Sequence, residues 1–155
     1  MTSERIEATR RIAAPASAIF AIVSNPAGHV EIDGSGMLVA APDASPVTEV
    51  GATFVMDMDR EPLGDIPMGK YTVTNHVTRI EPDHLFEWGI SVADRPQVGH
   101  LYGWLLDPVS DTETDVTNYC DWSALPEEYK SRWPIVPLEM MERSVENLER
   151  IVTGA

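Results

Sequence analysis

Residues 100 to 123 hold an unusual density of side chains that could take part in chemistry. They include His100, Tyr102 and Cys120, the only cysteine of the chain, together with two tryptophans. Histidine exchanges protons near neutral pH, so His100 and Tyr102 form a candidate acid–base pair. The alternative is a histidine at a pocket rim that hydrogen-bonds a ligand or the backbone. Cys120 has no basic neighbour in sequence, which favours a buried small side chain over a nucleophile.

A second group that could do chemistry is His29, Glu31 and Asp33 in the segment HVEID. Their spacing brings three metal ligands together only in a strand or a special loop, and no second motif supports such a site. A surface turn is therefore the preferred interpretation. The motifs of common hydrolases, nucleotide-binding proteins and zinc proteases are also missing from the sequence. We predict no metal and no cofactor.

Hydrophobic spacing predicts the elements that would position these residues. Residues 4–13 alternate between apolar and polar and indicate a half-buried strand. A helix follows from Pro15 and ends at Asn25-Pro26, and a second short helix or turn is predicted at 27–33. About six strand-like runs separated by turn-rich clusters then extend to Ser123. From Pro137 to Val152 apolar residues recur at spacings of three and four, which predicts a long amphipathic helix.

This order of elements predicts the α+β class, with one domain over residues 1–155. The connections between strands are too short for crossover helices, so the sheet should be antiparallel, with about seven strands. Its apolar face must be covered, and the long C-terminal helix is the only large element that can cover it.

Pairing the strands by their turns tests whether the candidate residues share a face. The EPDH segment is taken as a tight turn with Glu81 opposite His84, and the other strands follow from it. The predicted pairs are Val77–Trp88, Asn75–Ile90, Val73–Val92, Trp88–Trp104, Ile90–Tyr102, Val92–His100, Trp104–Asn118, Tyr102–Cys120, His100–Trp122, Met58–Tyr71, Met56–Val73 and Phe54–Asn75.

One face of the predicted sheet is then mainly apolar and aromatic, with Asn75, Asn118, His100 and Arg79 among its few polar groups. Such a face forms either a solid core or the wall of a cavity. Buried amides and a histidine without partners are costly, and a ligand or a buried water would satisfy them. The two asparagines could orient a ligand carbonyl or form a satisfied amide pair. Leu101 and Leu105 fall on the outer face and predict a self-association surface that would suit a homodimer.

The chain resembles the helix-grip proteins of the START-like (SRPBCC) superfamily, especially the bacterial polyketide cyclase/dehydrase and lipid transport group. The resemblance rests on the segments AAPASAIFAIVSNP, IEPDHLFEW, VTNYCDWS and LEMMERSVENLERIV, and HVEIDGSG with YCDWS is similar to an actinobacterial branch. It implies a sheet curved around the last helix and a cavity for apolar molecules between them. It implies no catalytic residue, because the superfamily shares no catalytic motif.

Composition limits the partners. The net charge is −14, from 25 acidic and 11 basic residues, so the surface repels nucleic acid and anionic membranes. No apolar run is long enough to span a bilayer, and the first residues contain no apolar segment like that of a signal peptide. With a single cysteine as well, a cytoplasmic protein is expected.

These observations lead to three hypotheses. The first is a carrier or sensor that binds a hydrophobic or aromatic small molecule between sheet and helix. Its mouth would be formed by EPLGDIPMGK, ADRPQVGH and SALPEEYKSRWPIVP, with Trp133 as a lid. The second is a metal-free cyclase or dehydratase that uses His100 and Tyr102, and the third is a protein-interaction module. The predicted ligand-binding residues are Phe54, Met56, Met58, Tyr71, Val73, Asn75, Trp88, Ile90, His100, Tyr102, Trp104, Asn118, Trp122, Trp133 and Met141.

Overall fold

A seven-stranded antiparallel sheet forms the frame of the protein, in a computed structural model that describes residues 3–92 and 95–154. The strands are β1 (Arg5–Ile12), β2 (Leu38–Ala40), β3 (Thr53–Asp59), β4 (Lys70–Glu81), β5 (Leu85–Val92), β6 (Leu101–Ser110) and β7 (Glu113–Asp121). Their order across the sheet is β1-β7-β6-β5-β4-β3-β2. The helices are α1 (Ala16–Val23), α2 (Pro26–Ile32), α3 (Glu127–Lys130) and α4 (Leu138–Thr153), and a single 3₁₀ turn spans Glu61–Leu63. The α+β class and the antiparallel sheet are confirmed.

The helices begin where the local sequence directs. Helix α1 starts directly after Pro15, and α2 starts at Pro26 with the Asn25 side chain accepting a hydrogen bond from the Ala27 amide, at 3.0 Å. Asparagine at the N-cap followed by proline at the first helical position is a favoured helix start. The two short helices predicted after the first strand, α1 and α2, are confirmed, and so is the long helix α4.

Helix α4 covers one face of the sheet. It buries Met141, Val145 and Leu148, at the spacing of four and three residues that the sequence showed, and it packs mainly against β1 and β7. Glutamates on its other face remain exposed. Helix α2 packs against α4, so the two helices cover the apolar side of the sheet together.

Most predicted strand registers are confirmed. All of the predicted β3–β4 pairs form, and so do Val77–Trp88, Asn75–Ile90, Val73–Val92, Tyr102–Cys120 and Trp104–Asn118. At the turn, Glu81 pairs with Leu85 and not with His84 as predicted. The β6–β7 ladder begins at Leu101–Asp121, so the predicted pair His100–Trp122 lies one residue beyond it.

The predicted register between β5 and β6 is wrong by two residues. Trp88 pairs with Tyr102, and Phe86 takes the place opposite Trp104, so Trp88–Trp104, Ile90–Tyr102 and Val92–His100 do not form. A shift of two residues leaves every side chain on the same face. The alternation of apolar residues therefore could not distinguish the two registers.

A bulge in β4 overturns the placement of Arg79. The register shifts between Val77 and Arg79, so one extra residue enters the strand there. Arg79 consequently lies on the outer face with Glu87 and Tyr119, and its side chain is exposed. The next residue, Ile80, packs against the core instead.

The outer face has its own buried polar contact. The Glu87 carboxylate accepts hydrogen bonds from the Thr78 hydroxyl at 2.7 Å and from the Tyr119 hydroxyl at 2.5 Å. The Arg5 guanidinium lies 4.0 Å from the centre of the Tyr119 ring. Leu105 is 42% exposed nearby, as the sequence predicted.

Among residues 3–92 and 95–154, no helix combines the length and the hydrophobicity that a membrane crossing requires.

Candidate functional site

A cavity of about 360 Å³ lies between the inner face of the sheet and helices α2 and α4. All but two of the predicted ligand-binding side chains line it. The residues from that prediction in the cavity wall are Met56, Met58, Tyr71, Val73, Asn75, Trp88, Ile90, His100, Tyr102, Trp104, Asn118, Trp133 and Met141. The inner face is therefore a cavity wall in these places.

The two exceptions, Phe54 and Trp122, belong to the core. Both are buried but do not reach the cavity. The ring of Phe54 lies behind His29, with 5.5 Å between the ring centres. Trp122 follows the end of β7, where its backbone amide bonds the Glu4 carbonyl at 2.9 Å. Their placement in the cavity wall was wrong because the sheet face is wider than the cavity it borders.

Helix α2 and the segment after it also line the cavity, which was not predicted from the sequence. His29, Ile32, Asp33 and Ser35 line the cavity, and His29 is only 5% exposed, so the predicted surface turn at HVEID is wrong. The spacing of His29 and Ile32 by three residues, after a well-capped helix start, was the signal that could have placed them on one buried face. No group of three metal-ligating side chains occurs within the described parts of the chain.

Five aromatic side chains form a continuous wall of the cavity. The ring of His29 lies 4.7 Å from Trp88, Trp88 stacks on Tyr102 at 6.1 Å, and Tyr102 meets the edge of His100 at 5.8 Å. Trp133 completes the series 4.9 Å from His100. These residues come from α2, β5, β6, the β5–β6 connection and the loop before α4, so only the folded chain brings them together. We call this series the aromatic wall.

Methionines supply much of the remaining lining. Five of the seven methionines of the chain face the cavity: Met37, Met56, Met58, Met68 and Met141. Thioether side chains are flexible and polarisable, and they make favourable contacts with aromatic rings. A wall of this kind adapts to the outline of an apolar or aromatic ligand.

Both cavity histidines are neutral near pH 7. Burial lowers the pKa of His29 to about 4, although its bond to the Val23 carbonyl opposes this shift. Burial also lowers the pKa of His100 to about 4. Within the described parts of the chain, the buried atoms His100 Nδ1 and Trp133 Nε1 have no hydrogen-bond partner.

The two asparagines do not form the amide pair that the sequence left open. The Asn118 amide group donates to the Gly103 carbonyl at 3.0 Å, which leaves its oxygen as an acceptor. Asn75 is only 4% exposed and is not the partner of the Asn118 amide. Both residues line the cavity, where a ligand could satisfy these groups.

Each of the three segments predicted to surround the mouth contributes to the lining. Met68 and Val98 are partly exposed there, and Trp133 enters from the loop before α4. Arg60 binds Asp65 through two hydrogen bonds of 2.9 and 2.7 Å, which hold the first of these segments in place. The same contact lowers the pKa of the Asp65 carboxyl to about 2. Residues 93 and 94 of the predicted mouth lie outside the described residues.

The pKa shifts of the predicted acid–base pair do not favour proton exchange near pH 7. His100 is neutral, and burial raises the pKa of Tyr102 well above its usual value of 10. Cys120 is buried as expected, and burial raises the pKa of its thiol to about 12. The site is thus suited to holding a ligand, with few groups ready to exchange protons near pH 7.

Solved structures share this architecture along the whole chain. Protein NE0264 from Nitrosomonas europaea matches with a TM-score of 0.69 at 15% identity, over 99% of this chain and 97% of that one. Truncated norcoclaurine synthase from Thalictrum flavum matches with a TM-score of 0.65 at 14% identity, over 100% of this chain and 98% of the other. The chain has the helix-grip fold. At these identities the likeness concerns the fold alone.

Relatives by sequence occur in mycobacteria. The uncharacterized protein Rv0088 of Mycobacterium tuberculosis strain H37Rv is 33% identical over 120 residues, which is 77% of this chain and 48% of that protein. A second uncharacterized protein, MT0096 of strain CDC 1551, matches to the same extent. The helix-grip chain thus spans about half the length of the curated relatives it matches. No family model matches it.

Proposed function

We propose that the protein binds one hydrophobic or aromatic small molecule in the cavity between the sheet and α4, as a carrier or sensor. The observation that carries this proposal is a cavity of about 360 Å³ with a mainly apolar lining and a few polar groups that lack protein partners. This is the usual composition of a small-molecule site. A cytoplasmic place of action is part of the proposal, and the single free cysteine supports it.

We prefer this binding function to the alternative, a catalytic function of the polyketide cyclase or dehydratase type. The fold does not separate the two, because its neighbours include norcoclaurine synthase. The pKa shifts support binding, since the pKa of His100 lies near 4 and that of Tyr102 well above 10, both far from the pH at which a general acid or base works best. A carrier requires only the cavity and its lining.

The test is native mass spectrometry of the gently purified protein, followed by denaturation and identification of any released molecule. If nothing copurifies, 1-naphthol is titrated while tryptophan fluorescence is recorded. Ile90→Trp should abolish binding because the larger side chain fills the cavity from β5. Leu105→Trp is the matched control, since Leu105 lies on the exposed outer face.

The expected result is one bound molecule in the native protein and in Leu105→Trp, and none in Ile90→Trp at an unchanged melting temperature. A native protein that neither carries a ligand nor binds 1-naphthol would contradict the proposal. Equal binding by the two tryptophan variants would also contradict it, because the ligand would then lie elsewhere.

A further inference from the structure

His29 is a polar side chain of the cavity whose orientation is constrained by a backbone hydrogen bond and by aromatic packing. We propose that Nδ1 of His29 selects the ligand by accepting a hydrogen bond from a hydroxyl group on an aromatic ring. This inference rests on the proposed function, because it names the class of molecule that the same cavity holds.

A backbone contact determines which nitrogen of His29 carries the proton. Nε2 lies 2.6 Å from the carbonyl oxygen of Val23. A carbonyl oxygen can only accept, so Nε2 must donate and therefore carries the hydrogen. In the neutral ring Nδ1 is then an acceptor. Because burial keeps the pKa near 4, this state persists at neutral pH.

Packing prevents the ring from turning to exchange the two nitrogens. It is surrounded by Phe54, Phe86 and Trp88, with ring centres 5.5, 5.7 and 4.7 Å away. The backbone beneath it is also constrained, since a side chain at Gly28 would overlap the Ile22 carbonyl. Helix α2 thus approaches α1 as closely as glycine allows and holds His29 against the sheet.

The acceptor has no protein partner within the described parts of the chain. The one hydrogen bond of the ring is the contact with Val23, and 95% of His29 is removed from solvent. Because His29 lines the cavity, a donor on the ligand can supply the hydrogen bond that this acceptor does not make within the protein. An ether or a carbonyl oxygen would instead face Nδ1 lone pair to lone pair and would be rejected.

The aromatic part of the proposed ligand follows from the neighbours of His29. Trp88 is the next member of the aromatic wall and stacks on Tyr102, so a planar ring lying along them would bring its hydroxyl towards α2. Met56 lines the same cavity from β3 and can contact such a ring through its sulfur. An aliphatic chain would use neither feature.

The test compares 1-naphthol with 1-methoxynaphthalene, which differ only in the hydroxyl hydrogen being replaced by methyl. We expect the native protein to bind 1-naphthol about tenfold more tightly, as measured by fluorescence titration. His29→Leu should reduce this ratio to about one, because leucine offers the hydroxyl group no acceptor. His84→Gln is the control, since His84 is exposed on the outer-face side of the sheet and does not line the cavity, and it should preserve the ratio.

A second measurement separates recognition from a purely structural role. The ¹⁵N resonance of Nδ1 in His29, assigned through His29→Gln, should shift on addition of 1-naphthol and stay in place with 1-methoxynaphthalene. Equal affinities for the two probes in the native protein would overturn the role of His29 while leaving the cavity a binding site. If neither probe binds, the inference fails, and the proposed function fails with it only when no molecule copurifies with the protein either.

Discussion

At the scale of single residues, the cavity depends on histidines that remain uncharged. His29 and His100 come from different elements, yet burial lowers the pKa of each to about 4. His29 has one ring nitrogen satisfied by the backbone, whereas Nδ1 of His100 has no partner among the described residues. Uncharged histidines in the lining suit an uncharged part of a ligand, because no counter-charge must be buried beside them.

We predict that these histidines make stability fall as the pH is lowered. In the unfolded chain their pKa returns to about 6.5, so between pH 6.5 and 4 the unfolded state binds more protons than the folded state. The free energy of unfolding should therefore decrease through this window, by on the order of 3 kcal/mol for each histidine.

Urea unfolding at several pH values between 7 and 4 measures this dependence. The double variant His29→Gln with His100→Gln serves as the comparison, and its free energy of unfolding should vary less with pH than that of the native protein. Parallel curves for the two proteins would show that the histidines do not contribute, since both contain the same carboxylates.

At the scale of elements, the contact between α4 and the segment that follows α2 closes one side of the cavity. The Gly34 amide donates to the Ser144 hydroxyl at 2.8 Å, and its carbonyl accepts from Arg143 at 3.1 Å. Asn147 donates to the Ile32 carbonyl at 3.1 Å. Three polar side chains of α4 thus bind backbone groups of the segment that carries part of the lining.

We predict that Gly34→Ala destabilises the protein by about 2 kcal/mol and weakens ligand binding. A Cβ at this position would overlap the Met140 carbonyl and the Arg143 side chain, so the segment and the helix must separate. Thermal unfolding and 1-naphthol titration measure the two effects. Glu142→Ala, on the exposed side of the same helix, should change neither. A Gly34→Ala variant as stable as the native protein would show that the contact between this segment and α4 has room for a Cβ.

At the scale of the whole molecule, charge is the dominant property of the surface. The net charge of −14 is spread over a single domain-sized chain of 155 residues, and eight ion pairs join described side chains. Such pairs at a surface contribute little to stability. Repulsion among the excess carboxylates opposes folding and is reduced by salt.

We predict that the urea midpoint of unfolding rises when NaCl is increased from about 10 mM to about 200 mM, because the Debye length falls from about 30 Å to below 10 Å. The variant Glu139→Gln with Glu142→Gln, which removes two exposed carboxylates of α4, should show a smaller rise. A midpoint that falls with salt in the native protein would mean that its ion pairs outweigh the repulsion.

The sequence alone was sufficient for the elements and for most of the inner face. Period-two alternation places Met56, Val73, Asn75 and Tyr102 on one side of a sheet whatever the register, because a shift of two residues preserves the face. Spacings of three and four residues likewise determine the buried side of α4. These patterns are local, so they can be read without knowing what lies opposite.

The tertiary structure decided what local patterns do not encode. The register of β5 against β6 depends on the loop between them, and the bulge beside Thr78 turned Arg79 outwards. Whether the face borders a cavity or a solid core depends on how far α2 and α4 stand from the sheet. His29 illustrates this, since its place beside Trp88 arises from a contact with a strand distant in sequence, and its single protonated nitrogen from a contact with the end of the preceding helix.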